Sequence, residues 1–166
     1  LCYSAGGGIA AILKDKLPKI KMSVAVNSTV KLIGDFGLSD EILKVIKGLN
    51  LNNYMDFRRK YMVTCDEELE KFAKNQPLRS FESCFEELDS IEYFAKKYKD
   101  VTFDFDRVYV AKDDALLPIE QQKKYFGEKI IEIDGSHFPF YNYNSFKVFS
   151  ISSINTFLLY FTHHTI

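Results

Sequence analysis

Cys2-Tyr3-Ser4-Ala5-Gly6 is the stretch on which the fold turns. It is a variant of the G-x-S-x-G nucleophile elbow, a sharp strand-to-helix turn that leaves a serine hydroxyl exposed. The turn crowds its own backbone, so the residues two before and two after the serine have to be small. Cys2 and Gly6 hold those places. A cysteine is larger than a glycine, so the motif is imperfect, but the added volume is tolerable. The same turn aims the Ala5 N–H at the point where charge would develop on an attacked carbonyl oxygen. A plain glycine-rich helix start reads the same way, because short motifs have many chance matches. The surrounding chain has to separate the two.

Working outward, Gly6-Gly7-Gly8 leads into an apolar pattern over Ile9 to Lys16, closed by Pro18, which predicts a helix. Lys21 to Val26 predicts a strand, with Asn27-Ser28-Thr29 as turn chemistry at its carboxyl end. Residues 38–99 change character. Ser39 can cap a helix that ends at Gly48, and helical spacing continues over Tyr54 to Met62. Asp66 to Lys74 follows, stopped before Pro77, and Ser80 to Tyr98 carries a stripe of Phe81, Phe85, Leu88, Ile91, Phe94 and Ala95. Strand patterns then return at Arg107 to Ala111 and Glu128 to Ile133, separated by a helix over Ile119 to Phe126 behind Pro118. Strands alternating with helices mean a parallel sheet covered by helices. The block of four helices reads as an insertion above it.

The composition narrows the function classes. The chain has 166 residues, of which 46% are hydrophobic, and a net charge of −1. That supports a real core and excludes a disordered chain, a strongly basic nucleic-acid binder or an acidic tail protein. Cys2, Cys65 and Cys84 are an odd number without zinc spacing, as expected of reduced thiols in a cytoplasmic protein. No stretch reaches the roughly 20 apolar residues of a membrane span. Ile151 to Phe161 comes closest, but it is short and carries Ser and Asn.

Two further polar sites follow predicted strands, on the edge where open α/β sheets place their chemistry. Asp113-Asp114-Ala115-Leu116-Leu117-Pro118 comes directly after the strand at 107–111, and an aspartate there can orient an imidazole. It reads equally well as an Asx turn before Pro118. Gly135-Ser136-His137-Phe138-Pro139-Phe140 follows the strand at 128–133. Taken alone, His137 would be a surface histidine; after the last strand it can serve as a base. Serine, then aspartate, then histidine is the chain order of the α/β-hydrolase triad, each member behind a separate strand. The four helices lie between the first two members, where such hydrolases carry a lid.

These segments resemble the pimeloyl-ACP methyl ester esterases of biotin synthesis, of the BioG type. The resemblance rests on Cys2 to Gly6, Ala25-Val26-Asn27-Ser28-Thr29, Asp35-Phe36-Gly37-Leu38, Phe57-Arg58-Arg59-Lys60-Tyr61-Met62 and Pro77-Leu78-Arg79-Ser80. It continues through Lys112 to Pro118 and Gly135 to Phe140, and covers nearly all of residues 1–150. The Ser, Asp and His motifs indicate the fold. The helical-block motifs and His-Phe-Pro-Phe point to the branch.

The resemblance implies the C-terminal part of an α/β-hydrolase fold: a mainly parallel sheet with helices on both faces and a four-helix lid. Residues 1–37 would hold the elbow, helix and strand, 38–99 the lid, and 100–150 the rest of the core. Residues 151–166 form an apolar tail without counterpart. It implies a serine carboxylesterase with Ser4 as nucleophile, His137 as base and Asp114, four residues before Pro118, as the orienting acid. Ala5 would supply an oxyanion donor. No metal or cofactor is implied, and His163-His164 lacks the carboxylate or cysteine company of a metal site. The implied partner is an acyl carrier protein bearing a pimeloyl methyl ester, with neither nucleic acid nor membrane.

An acyl chain needs apolar walls, for which Phe57, Tyr61, Met62, Phe81 and Phe85 are candidates. An acidic carrier needs basic steering, for which Arg58, Arg59, Lys60 and Arg79 are candidates. Aromatics at helical spacing are more often core, and charge runs more often solvated faces. Asn27-Ser28 stands where the family more usually has Asn-Gly, a departure expected to matter little. In this fold the elbow follows several earlier strands, so with Ser4 at the fourth position the expectation is a chain lacking roughly the first third of its domain. The alternatives are an esterase or thioesterase with another acyl substrate, and an inactive fragment.

Overall fold

A computed structural model describes residues 1–75 and 78–149. Pro77 and the apolar segment 151–166, with His163 and His164, lie outside the described residues. The sheet among the described residues has four strands in the order β1 (Cys2–Ser4), β2 (Val24–Ser28), β3 (Arg107–Ala111) and β4 (Ile130–Ile133). Every neighbouring pair is parallel. Helix α1 (Gly6–Leu13) joins β1 to β2. Four helices stand between β2 and β3: α2 (Asp40–Lys47), α3 (Tyr54–Tyr61), α4 (Asp66–Lys74) and α5 (Phe81–Lys97). Helix α6 (Ile119–Phe126) joins β3 to β4. The chain is an α/β protein.

Strand alternation builds two apolar layers, because successive side chains point to opposite faces. Ala25, Val108 and Val110 face Ala11 of α1 and Ile119, Tyr125 and Phe126 of α6. Val24, Val26, Tyr109, Ala111 and Ile133 face the other way, under Phe149, Phe140 and Tyr143. That second face is covered by two 3-10 turns, Pro139–Asn142 and Phe146–Phe149. A third cluster joins Phe57, Tyr61, Met62, Val63 and Leu69 of the helical block to Leu116 of the β3–α6 loop.

Local chemistry sets the ends. Ser39 Oγ accepts from Ile42 N at the start of α2, and Ser80 Oγ accepts from Ser83 N at the start of α5. Each satisfies an amide that the first helical turn leaves free. Among the boundaries that differ from the sequence pattern, three bear on the site and the sheet. Helix α1 begins at Gly6 rather than Ile9, so the glycines lie inside it. They are there for close approach: a Cβ on Gly7 would meet Thr29 O at 2.7 Å, and one on Gly8 would crowd the Leu32 side chain and meet Val30 O at 3.1 Å. Strand β2 includes Asn27 and Ser28, which composition assigned to a turn. Strand β4 starts at Ile130, because Gly127–Lys129 form a 3-10 turn opened by Gly127 at φ 61°. In α5, Leu88 is the buried member of the apolar stripe. Phe81, Phe85, Ile91, Phe94 and Ala95 are half-buried.

Candidate active site

Strand β1 delivers Ser4 into the turn ahead of α1 with φ 52°. That left-handed conformation costs a non-glycine residue about 1–3 kcal/mol and persists only where the surroundings hold it. Two donors hold it here. Thr29 N donates to Ser4 O at 3.2 Å, and the Ser28 hydroxyl donates to the same oxygen at 2.7 Å. Cys2 is accommodated, since a Cβ on Gly6 would meet Cys2 Cβ at an ordinary 3.7 Å. Burial pushes the Cys2 thiol up, away from the reactive thiolate.

Asp114 follows β3 and is 4% exposed, whereas Asp113 faces solvent. Asp114 Oδ1 accepts from Leu116 N and Leu117 N, both at 2.9 Å. This is the Asx-turn geometry foreseen at that position, and it orients the carboxyl as well. His137 follows β4 and is 1% exposed. Its Nδ1 lies 2.9 Å from Asp114 Oδ2 and 3.1 Å from Oδ1, and its Nε2 lies 3.0 Å from Ser4 Oγ. With an ionised carboxylate able only to accept, Nδ1 carries the proton and Nε2 is left to accept from the serine. Three strand ends thus bring Ser4, His137 and Asp114 into one hydrogen-bonded line.

The loop around the histidine is tied on two sides. Met62 O, at the end of α3, accepts from Ser136 Oγ at 2.7 Å and from Phe138 N at 2.9 Å. Asn27 Nδ2 donates to Ser136 O at 2.8 Å and to His137 O at 2.9 Å. The Tyr3 ring packs 5.1 Å from the His137 ring and 5.8 Å from Phe138. The Tyr3 hydroxyl is buried without a hydrogen-bond partner among the described residues. Burial pushes that phenol up, the Asp114 charge adds to the effect and Arg58 opposes it.

The candidate wall residues fall into two places. Phe57, Tyr61 and Met62 are packed inside the helical block, whose cluster adjoins Phe138 beside the histidine. Phe81 lies on α5, with its ring 5.2 Å from Tyr54 and 6.3 Å from Phe85. The candidate cations also differ. The Arg58 guanidinium is held between two rings, 4.5 Å from the centre of Tyr54 and 4.6 Å from that of Phe72. Its Nε is buried and unpartnered among the described residues. Arg59 is exposed and paired with Asp66 at 3.1 Å, Lys60 lies over Tyr61, and Arg79 pairs with Glu87. Ala5 N stands at the start of α1, beside Ser4.

Sequence reasoning missed Asn27, Ser28 and Ser136. The available signal was polarity where an apolar strand should continue. Asn27 and Ser28 are fully buried inside the sheet, and such groups are there to be bonded. Ser28 corrects the expectation that this departure from Asn-Gly matters little. Its hydroxyl donates to Ser4 O and accepts from Gly7 N at 3.0 Å, bonds a glycine could not make. Among the described residues no group of three or more His, Cys, Asp or Glu side chains could hold a metal, and no helix is long and apolar enough to cross a membrane.

No protein-family model matches the chain, and no curated protein sequence matches it. Among solved structures, the crystal structure of BioG from Haemophilus influenzae is similar, with a TM-score of 0.77. The match covers 89% of this chain and 70% of that one at 22% identity. The likeness shows a BioG-like α/β fold.

Proposed function

We propose that this chain carries the hydrolytic centre of a serine carboxylesterase. The observation that carries the proposal is the unbroken line from Ser4 Oγ through His137 to Asp114, with Ser4 on a left-handed turn. In the first step His137 Nε2 takes the hydroxyl proton while Ser4 Oγ bonds to the ester carbonyl carbon. Asp114 holds the ring in the right tautomer and stabilises the imidazolium. The Ala5 N–H donates to the developing oxyanion in this reading. Collapse breaks the bond to the alkoxide, which leaves with the proton from His137. Water, deprotonated by the same histidine, then adds to the acyl carbon; collapse breaks the bond to Ser4 Oγ, which takes the proton back from His137 as the acid leaves.

The finer reading is the methyl ester of a pimeloyl chain on an acyl carrier protein, in a cytoplasmic setting. It is supported by the sequence motifs of the helical block and the histidine loop, and by the BioG-like fold. A helical block whose apolar cluster reaches Phe138 suits a short acyl chain. Exposed Arg59 and Lys60 suit an acidic carrier.

The test has two parts. The purified chain is expected to take a fluorophosphonate label at Ser4, with no label on the Ser4→Ala variant. Hydrolysis of the carrier-bound methyl ester should exceed that of carrier-bound acyl thioesters. Absence of label overturns the serine hydrolase; label with equal or preferred thioester turnover overturns the methyl ester.

A further inference from the structure

We propose that the carboxyl end of β2 sets the distance between nucleophile and base, with Asn27 and Ser28 as positioning residues. The proposal rests on the hydrolase reading above.

The β1–β2 register slips at this point. Cys2 pairs with Ala25 and Tyr3 with Val26, but Ser4 pairs with Ser28. Asn27 is the extra residue, and its φ of 40° is left-handed. A bulge of this kind re-aims one side chain out of the strand's alternation. Asn27 is completely buried, in a strand whose neighbours Val24, Ala25 and Val26 are apolar. An amide there costs free energy unless it is fully bonded.

It is fully bonded. Its NH2 group donates to Ser136 O and to His137 O, and its Oδ1 accepts from Ala111 N at 2.7 Å. The partners settle the orientation of the amide: two carbonyls need the nitrogen, and an N–H needs the oxygen. Asn27 therefore ties the backbone of the base itself to the end of β3, the strand that leads to Asp114. The next residue does the same for the nucleophile. Ser28 Oγ bridges Ser4 O and Gly7 N across the elbow.

Two adjacent residues of one strand thus hold the two loops whose side chains must meet. The Ser4–His137 separation of 3.0 Å lies in the narrow range in which a base can take a proton directly. A misplacement near 1 Å can cost about 10²-fold in rate. Neither Asn27 nor Ser28 needs to touch substrate to control that distance.

The test measures fluorophosphonate labelling of Ser4 against pH, with circular dichroism and thermal unfolding as fold controls. Asn27→Asp keeps the side-chain shape and the tolerance of a left-handed backbone. It turns a carboxylate toward two carbonyl oxygens. Labelling near neutral pH is expected to fall about 10²-fold. The deficit should shrink toward acid pH, because a protonated carboxyl can donate one bond back to a carbonyl. Ser28→Ala is expected to slow labelling about tenfold by the same factor at every pH, since it loosens the elbow and leaves the base alone.

Folded variants that label at the wild-type rate would overturn the proposal. So would an Asn27→Asp deficit that does not vary with pH, or failure of both variants to fold, which would assign the pair to the fold instead. A wild-type chain that takes no label counts against the hydrolase reading. The positioning claim is then read from the His137 imidazole N–H resonance, which Asn27→Asp must shift and which an unchanged spectrum would refute.

Discussion

At the scale of single residues, the site is a chain of donors and acceptors running from Ser4 through His137 to Asp114. Asp114 accepts from Leu116 N, Leu117 N and His137 Nδ1, so its carboxyl has a single useful orientation. Asp114→Asn would keep the shape and present an NH2 group to the imidazole. The favoured tautomer would then place the ring proton on Nε2, facing Ser4. The expected loss in kcat is about 10⁴-fold. Because Asp114 does not line the acyl path in the proposed mechanism, KM should change little. A steady-state measurement that finds the loss in KM instead would remove Asp114 from the triad.

At the scale of elements, the helical block is tied to the base through one carbonyl. Met62 O accepts from both neighbours of His137, which fastens the end of α3 to the histidine loop. The two arginines of α3 are therefore not equivalent. Arg58 lies between the Tyr54 and Phe72 rings, where removing it takes away packing on both faces as well as charge. Arg58→Ala is expected to lower stability by about 1–3 kcal/mol, measured by denaturant unfolding. Arg59 is exposed and its ion pairs are on the surface, so Arg59→Ala should stay within about 0.5 kcal/mol. On the carrier-bound ester the ranking should differ. Arg59→Ala is expected to raise KM severalfold at low ionic strength, and the effect should fade with added salt. The same variant on a small free methyl ester should show no change. An equal effect on both substrates would take Arg59 out of carrier steering.

At the scale of the whole molecule, partly buried phenols contribute to the pH response of the fold on the alkaline side. Desolvation pushes Tyr143 up to about 12, with Asp134 adding to it, and raises Tyr3 and Tyr125 in the same direction. A folded pKa above the unfolded one near 10 means that the native state binds the proton more tightly. Stability from this source is complete below about pH 10 and is lost as pH rises through the folded values. Thermal unfolding midpoints should therefore start to fall gently above about pH 8.5, where the raised Cys2 thiol ionises in the unfolded chain, and fall more steeply beyond about 10. Tyr143→Phe keeps the ring and removes the titrating group, so it should make that fall shallower. A variant with an unchanged alkaline limb would exclude Tyr143 as a contributor.

The order of strands and helices, the Ser, Asp and His positions and the serine cap of α2 could all be read along the chain. Each depends on residues within a few positions of one another, where periodicity and local bonding dominate. What the chain could not show was contact at long separation. Asn27, Ser28 and Ser136 look like turn residues, and their partners lie from 21 to 110 positions away. Arg58 looks like part of an exposed basic run until α4 brings Phe72 across its face. The slip between β1 and β2 is equally invisible, because it is set by how two strands pair. Local sequence determined which groups this protein has for chemistry. Tertiary structure decided the distances between them, since buried polar atoms take whichever distant partners the packed strands and loops supply.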